Sequence, residues 1–410
     1  MTTLPATDLS IYLKKTVALT LKRQRLTFAV SQSLFSSHQV DLGTAQLLKT
    51  LANLSLPRGG KILDLGCGYG PLGLTLARLH KGAEVHLVDR DALATAFTRF
   101  NAERNRLPGT LAYGSLAYDE IGTRGFDLIV ANIPGKAGER VIRAMLLDAQ
   151  AFLAPQGIVA IVVVAPLEEL VAKTLDAPEI EILVHQTSQE GPARGYAIFH
   201  YRFTSTESTP TWTSGLERGI YDREEMTFVL DGMTLPMRTA HGLPEFDTLS
   251  YTTQALIKAI GNLELGTRPS LAVFNPGQGH IPAVLWRVLS PQSVALIDGD
   301  LLSLRYAEMN LIGNGCEASA ITVHHQVDLL PASTSPDLVV GILREDEGPV
   351  SIEHSLMRVA DALHPGAQLL IAAGSTPITR VLDAKELGKR LRLVKRKRRK
   401  GQSTALLQRR

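Results

Sequence analysis

Laid on itself at an offset of about 210 residues, this chain repeats, and a repeat of that length restricts the fold to one architecture used twice. Val85-His-Leu-Val-Asp89-Arg-Asp91 falls on Val294-Ala-Leu-Ile-Asp298-Gly-Asp300, and Asn101 and Asn105 fall on Asn310 and Asn314. Further along, Phe126-Asp-Leu-Ile-Val130 matches Pro336-Asp-Leu-Val-Val340, and Leu153-Ala-Pro155 matches Leu363-His-Pro365. Between the copies, Thr204 to Gly215 is rich in Thr, Ser and Pro and has no apolar periodicity, as befits a linker. A chain of 410 residues is long enough for two cores, so the expected domains are 1–204 and 205–410.

Within the first copy, short apolar runs (Ile62 to Leu65, Val85 to Val88, Leu128 to Ala131, Ile158 to Val164) alternate with helical stretches such as Leu72 to Leu79 and Leu93 to Arg104. Buried parallel strands joined by crossover helices have this pattern, so the class is α/β with a doubly wound sheet. Glu181 to Val184 and Tyr196 to Tyr201, on either side of Gly191 and Pro192, predict a closing hairpin. The part up to about Leu54 reads as a small strand and helix addition. Cys67 and Cys316 are the only cysteines, and the histidines lack metal-ligand spacing, so neither a disulfide framework nor a metal is expected. The longest apolar run, Ile158 to Ala165, is too short to span a bilayer, and the N-terminus lacks the regions of a signal peptide. A cytoplasmic chain with no membrane partner is the expectation.

The first strand of the sheet runs into Leu63-Asp64-Leu65-Gly66-Cys67-Gly68-Tyr69-Gly70, with a helix starting near Pro71. Glycines let the backbone turn tightly beside a ligand in the crevice at the carboxyl ends of the strands. Asp89 closes the next strand about 20 residues later, where a carboxylate accepts both hydroxyls of a ribose. A dinucleotide dehydrogenase shares these features, but its loop must admit a pyrophosphate. Asp64 would repel phosphates and suits the ammonium group of S-adenosylmethionine. After the fourth strand comes Ala131-Asn132-Ile133-Pro134-Gly135-Lys136-Ala137-Gly138. An amino nitrogen conjugated to a ring is a poor nucleophile until acceptors on its hydrogens orient the lone pair. The Asn132 side-chain oxygen and the Ile133 backbone carbonyl supply such acceptors, with Pro134 ending the turn.

These residues resemble the bacterial 16S rRNA guanine-N2 methyltransferases of the small-methyltransferase group and their relatives acting on 23S rRNA. The likeness runs from Leu26-Thr-Phe, Leu34-Phe-Ser36 and Val40-Asp-Leu-Gly43 through the glycine loop to Gly195-Tyr-Ala-Ile-Phe199, and Asn132-Ile-Pro-Gly-Lys-Ala-Gly138 is similar to that group's Asn-Pro-Pro-Ile-Arg-Ala-Gly. The resemblance implies two tandem doubly wound, Rossmann-like methyltransferase domains, each with a seven-stranded, mostly parallel sheet. It also implies a monomer that binds S-adenosylmethionine without a metal and acts on ribosomal RNA or a ribosomal subunit. The cofactor set carried over is Asp64, Gly66, Cys67, Gly68, Gly70, Asp89, Arg90, Ser115 and Asn132, with Asn132, Ile133 and Pro134 catalytic. Ile133 departs from the family's first Pro, and Gly135 from a side chain that would pack on the target base.

In the second copy the loop reads Phe274-Asn275-Pro276-Gly277-Gln278-Gly279-His280, where Asn275 replaces the acid and Pro276 removes a backbone donor. Gly341-Ile-Leu-Arg-Glu-Asp-Glu347 has neither the Asn nor the Pro of the amino-gripping motif, so this copy reads as catalytically dead. The net charge of +3 is small, but residues 390–410 contain no acid, and the repeat puts Lys395, Arg396, Lys397, Arg398, Arg399 and Lys400 on an exposed turn. Those residues and Lys136 are the candidate RNA contacts, with a solvated charge run as the competing reading of the turn. The leading reading is methylation of an exocyclic amino group of RNA, guanine N2 of ribosomal RNA foremost. A non-catalytic RNA-binding or assembly protein that keeps a cofactor pocket, and a methyltransferase for a protein amide, are the competing readings.

Overall fold

Two seven-stranded sheets, one in each half of the chain, have the same strand order. The computed structural model describes residues 8–189, 194–204, 212–230, 232–261, 263, 265–331 and 334–410. Its two compact units are Leu13–Tyr221 and Asp222–Arg410, the second joined by the turn Leu9–Tyr12, where Tyr12 Oη lies 3.3 Å from Ser355 Oγ. Against the expected division at 204/205, residues 212–221 stay with the first unit. Trp212 meets Phe152 edge-on at 5.2 Å, and the Gly215 and Leu216 amides donate to the Asp119 carboxylate at 2.7 and 2.9 Å. Residues 205–211 of the expected linker lie outside the described residues. No described helix is long and apolar enough to cross a membrane.

The first unit opens with a hairpin, β1 (Leu13–Leu21) and β2 (Gln24–Ser31), and helix α1 (Leu42–Leu51). Then β3 (Lys61–Leu65), α2 (Pro71–Leu79), β4 (Glu84–Asp89), α3 (Ala92–Arg104) and β5 (Thr110–Gly114) alternate. They are followed by β6 (Phe126–Asn132), α4 (Glu139–Leu147), β7 (Leu153–Val164), α5 (Glu168–Leu175), β8 (Ile180–Gln186) and β9 (Tyr196–Phe203). The sheet order is β5-β4-β3-β6-β7-β9-β8, parallel except that β9 runs against both β7 and β8. Helices cover both faces, which is why the central strands are continuous apolar runs. Edge strand β8 is mostly exposed instead.

A fully buried carboxamide ties the hairpin to this sheet. Asn101, on α3, accepts the Ala29 N–H at 2.7 Å and donates to the carbonyls of Ala29 and Tyr69 at 3.0 and 2.9 Å. One side chain thus joins β2, α3 and the glycine loop. The second unit repeats the arrangement: Asn310 accepts from the Arg238 N–H at 2.7 Å and donates to the carbonyls of Arg238 and Gln278 at 2.8 and 2.7 Å.

That unit contains hairpin β10 (Asp222–Leu230) and β11 (Met233–Ala240), α6 (Tyr251–Ile260), β12 (Ser270–Phe274), α7 (His280–Leu289), β13 (Ser293–Asp298), α8 (Leu301–Gly313) and β14 (Ile321–His325). It ends with β15 (Leu338–Ile342), α9 (Pro349–Ala362), β16 (Gln368–Gly374), α10 (Ser375–Asp383), α11 (Lys385–Arg390), β17 (Leu391–Arg399) and β18 (Gln402–Arg409). The order β14-β13-β12-β15-β16-β18-β17 matches that of the first sheet.

Register corrects two expectations. Asp64 pairs with Leu87 as Val273 pairs with Leu296, so Val273, and not Asn275, stands in the acid's place. Asn275 takes the position of Gly66, one step after the strand, at φ 50° against 72°. The basic segment is not a turn either: Lys395 to Arg399 lie on the outermost strand β17, and only Lys400 reaches the turn. Alternation then splits it, with Arg396 and Arg398 bonding back to Thr379 Oγ1 at 2.6 Å and Ser375 Oγ at 3.1 Å. A row of cations on an open edge also guards it against pairing with another strand.

Replacing Asn101 with Ala should lower the stability of the chain by about 3 kcal/mol, because buried backbone groups of Ala29 and Tyr69 lose their partners. Urea unfolding of parent and variant measures it, and a loss below about 1 kcal/mol would deny the residue this structural role.

Candidate active site

The carboxyl ends of β3, β4 and β6 bring together the residues that the sequence singles out. Leaving β3, the chain doubles back so that the amides of Gly66 and Cys67 both donate to the Val88 carbonyl, at 2.8 and 2.9 Å. Gly66 and Gly68 have φ of 72° and 58°, and a Cβ built on either meets no atom within 4 Å. A Cβ on Gly70, at φ 90°, would strike Leu74 Cδ1 at 2.7 Å. The first two glycines therefore border open space, and the third is required by helix packing.

Asp89, at the end of β4, accepts the Gly68 N–H at 2.9 Å and the Asp91 N–H at 2.9 Å, which fixes its carboxylate at the rim of the loop. Arg90, half-buried, follows it. Asp64 is placed differently from a ligand contact. It is 1% exposed, and its Oδ2 accepts the Gly73 N–H in the first turn of α2 at 2.7 Å. Ser115 is buried too: its hydroxyl donates to the Ala117 carbonyl at 2.8 Å and accepts the Glu120 N–H at 3.2 Å, while its own amide donates to the Asp89 carbonyl at 3.0 Å. The Cys67 thiol is pushed up by burial, with Asp89 and Asp64 adding to it, so it is no nucleophile.

Asn132 ends β6, and both hydrogen bonds of its amide nitrogen are directed inward. Nδ2 donates to Asp41 Oδ2 at 2.9 Å and to Thr44 Oγ1 at 2.9 Å. A carboxylate only accepts, so the nitrogen faces Asp41 and the oxygen is left as an acceptor for another group. Asp41 also caps α1 by accepting the Thr44 N–H at 3.0 Å, and it accepts the Tyr196 hydroxyl at 3.0 Å through Oδ1. Gly43 admits the Tyr196 ring, since a Cβ there would lie 2.6 Å from it. Ile133 is buried and donates its N–H to the Val162 carbonyl at 2.9 Å. Pro134, Gly135 and Lys136 are exposed, with the Ala137 N–H closing a turn on the Pro134 carbonyl at 3.1 Å. Asp41, Gly43 and Tyr196 lie within the segments that resemble the family, but their joint role is not visible along the chain. A polar N-cap beside a glycine was the available signal.

The corresponding crevice of the second unit is closed by its own side chains. Asp298 is buried, accepts the Ser303 hydroxyl at 2.7 Å and pairs with Arg344, the residue in the place of Pro134. Asn275 donates to the Ile342 carbonyl at 2.9 Å, across the position where β15 ends. A ribose could reach Asp298 only by displacing Arg344 from an ion pair.

Known proteins share this architecture. Residues 25–198 match the family described as the methyltransferase small domain. A Bacillus subtilis protein, YbxB, is 32% identical over 133 residues, which are 32% of this chain and 65% of that protein. Ribosomal RNA large subunit methyltransferase G of Shewanella baltica is 32% identical over 161 residues, covering 37% of this chain and 41% of that protein. The chain thus spans less than two thirds of the length of these relatives. Over 97% of this chain and 98% of the other, the fold is like that of T. thermophilus 16S rRNA N2 G1207 methyltransferase, solved with AdoMet and guanosine, at a TM-score of 0.62 and 16% identity.

Burial pushes the Asp64 carboxyl up to about 7, against the Gly73 N–H and with help from Asp89. The folded chain then holds this proton more tightly than the unfolded chain, whose carboxyl titrates near ~3.9, so the residue's contribution to stability falls as pH rises from about 4 to about 7. Asp64→Asn keeps an acceptor for Gly73 and removes the titration. Its unfolding free energy in urea should gain on the parent's across that window, and parallel curves would contradict the assignment.

Proposed function

We propose that this chain, whose residues 25–198 match the methyltransferase small domain family, moves a methyl group from S-adenosylmethionine to an exocyclic amino nitrogen of RNA, with guanine N2 of ribosomal RNA as the target. The observation that carries this reading is the orientation of Asn132, whose N–H groups are taken by Asp41 and Thr44 so that Oδ1 is the atom offered to substrate. Oδ1 and the Ile133 carbonyl accept the two amino hydrogens. The nitrogen lone pair is thereby turned out of conjugation with the ring and aimed along the line of transfer. Pro134 limits the backbone freedom of that carbonyl.

The residues of the first crevice fit the cofactor, since Gly66 and Gly68 leave a space that any side chain would fill. When bound, S-adenosylmethionine supplies a methyl carbon made electrophilic by its sulfonium. Asp89 holds the ribose hydroxyls, and Gly66, Cys67 and Gly68 admit the ligand to the loop. Arg90 flanks the site, Gly70 and Asp64 act through helix α2, and Ser115 acts through its backbone. Lys136, exposed two residues after Pro134, offers a charge to an RNA phosphate, as do Lys395, Lys397, Arg399 and Lys400 in the second unit, with Arg396 and Arg398 held closer to α10. Guanosine bound to the T. thermophilus enzyme favours guanine as the base.

One observation favours a non-catalytic RNA-binding protein. Gly135 leaves room for a side chain, with only Val164 Cγ2 near its Cβ position at 3.5 Å, so stacking on a base from this residue is missing. Mass spectrometry of ribosomal RNA nucleosides from cells with and without the chain decides between the readings. A methylated guanine that vanishes on deletion and returns with the parent supports transfer, and an unchanged set of nucleosides supports the non-catalytic protein.

Single-turnover methylation of ribosomal RNA by Asn132→Ala should be slower by roughly two to three decades, with cofactor affinity retained. Asp41→Asn keeps the helix cap but lets the Asn132 amide turn over, so the rate should fall about tenfold at unchanged thermal stability. Full activity in Asn132→Ala would remove amino methylation as the reaction.

Titration with S-adenosylmethionine should find one site per chain, weakened at least about tenfold by Asp89→Ala, through loss of charge-assisted bonds, and untouched by Asp298→Ala. Two equivalent sites would contradict the closed second crevice.

A further inference from the structure

The end of the first sheet opposite the crevice carries a concentration of charge that none of this chemistry uses. Lys22, Arg23, Arg25, Lys81, Arg104 and Arg106 are all exposed there, and among the described residues none of them pairs with a carboxylate. Lys22 and Arg23 form the two-residue turn between β1 and β2, closed by the Leu21 and Gln24 pair. The hairpin tip lies beside the C-terminal end of α3, where Asn105 Oδ1 accepts the Thr27 N–H at 3.1 Å and Arg104 Nε donates to Thr27 Oγ1 at 3.2 Å. Lys81 sits in the turn after α2, next to His80, whose imidazole is lowered by burial and then by the nearby Lys22 ammonium.

Three of these cations occupy backbone that disfavours them. Lys22, Arg23 and Arg106 have φ of 44°, 63° and 53°, the left-handed region where glycine and asparagine are at home. The second unit serves as an internal control. In the places of Arg23 and Arg106 it has Gly232 and Gly315, at φ 83° and 94°. Its sequence has Asp231, Thr234, Ser290 and Gly313 in the places of Lys22, Arg25, Lys81 and Arg104. At the turns of Arg23 and Arg106 the second unit thus uses glycine, and none of these six positions carries a positive charge in the copy whose crevice is closed. Strained backbone that carries function elsewhere in proteins is of this kind.

Resting on the RNA reading above, we infer that this end of the first unit is a phosphate-contacting surface for folded RNA, which anchors the substrate at a distance from the base being methylated. Unpaired cations on the rim of a turn meet a phosphate backbone without reading sequence, and each contact releases counterions. A structured RNA reaches both the crevice and the opposite end of the sheet, whereas a short oligonucleotide fills the crevice alone.

The test is the triple variant Lys22→Asn, Arg23→Gly, Arg106→Gly, which installs the residues that these conformations prefer, Asn-Gly being favoured for such a hairpin turn. Its melting temperature should equal or exceed the parent's, so a folding defect cannot imitate the result. Binding of full-length 16S and 23S ribosomal RNA transcripts should weaken, and the slope of log affinity against log salt should shrink by about two, at roughly 0.7 to 0.9 per lost contact. S-adenosylmethionine affinity should stay as in the parent. If the parent binds a transcript and the variant matches it in affinity and slope, the surface is not an RNA anchor and the reading of the crevice is untouched. If the parent binds neither transcript, the RNA reading falls and the anchor falls with it.

Discussion

A buried asparagine on the third helix holds each unit together. Without the Asn101 carboxamide, the Ala29 N–H and carbonyl in β2 would lose their partner on the helix, and the Tyr69 carbonyl in the glycine loop would lose its bond inside the core. Because one planar group satisfies two backbone atoms of β2 and one of the glycine loop, the loop cannot shift without disturbing the attachment of the hairpin. The second unit keeps the same group in Asn310, although its crevice has changed. The same buried bonds therefore underlie an open crevice in one unit and a filled one in the other.

The two units show how few residues separate a crevice open to a ligand from one that is filled. Gly66 leaves room above the loop, and Asn275 in the same place sends its amide to the Ile342 carbonyl. Pro134 carries no charge, and Arg344 reaches back to the acid at the end of β13. Asp64 holds α2 through Gly73, a bond that Val273 has no atom to make. In each pair the fold is unchanged, because the substitutions lie at strand ends and the core is built from strand middles. Arg23 and Arg106 likewise stand on left-handed backbone where the second unit has Gly232 and Gly315.

Much of this was legible along the chain. Strands buried on both faces must be apolar throughout, so the runs at Ile62 to Leu65 and Leu128 to Ala131 identify themselves. Asp41 was hidden because its bond to Asn132 spans 91 residues and depends on α1 folding over the end of β6. The position of Asn275 was misread because a strand boundary is uncertain by a residue until the pairing partner is known. The basic segment was misplaced for a similar reason, since alternating Arg and Lys on a strand and the same residues in a turn look alike without the register.

The duplication, the doubly wound class, the glycine turn and the strand-end acids can all be read along the chain, because they are properties of local pattern and spacing. Packing sets the direction in which each polar group points. It turned Asp64 inward to a helix amide, turned Asn132 by the pull of Asp41 and Thr44, and covered Asp298 with Arg344. Hydrogen bonds and ion pairs act over a few ångströms, and the partners that set these orientations lie on elements that only packing brings within that distance.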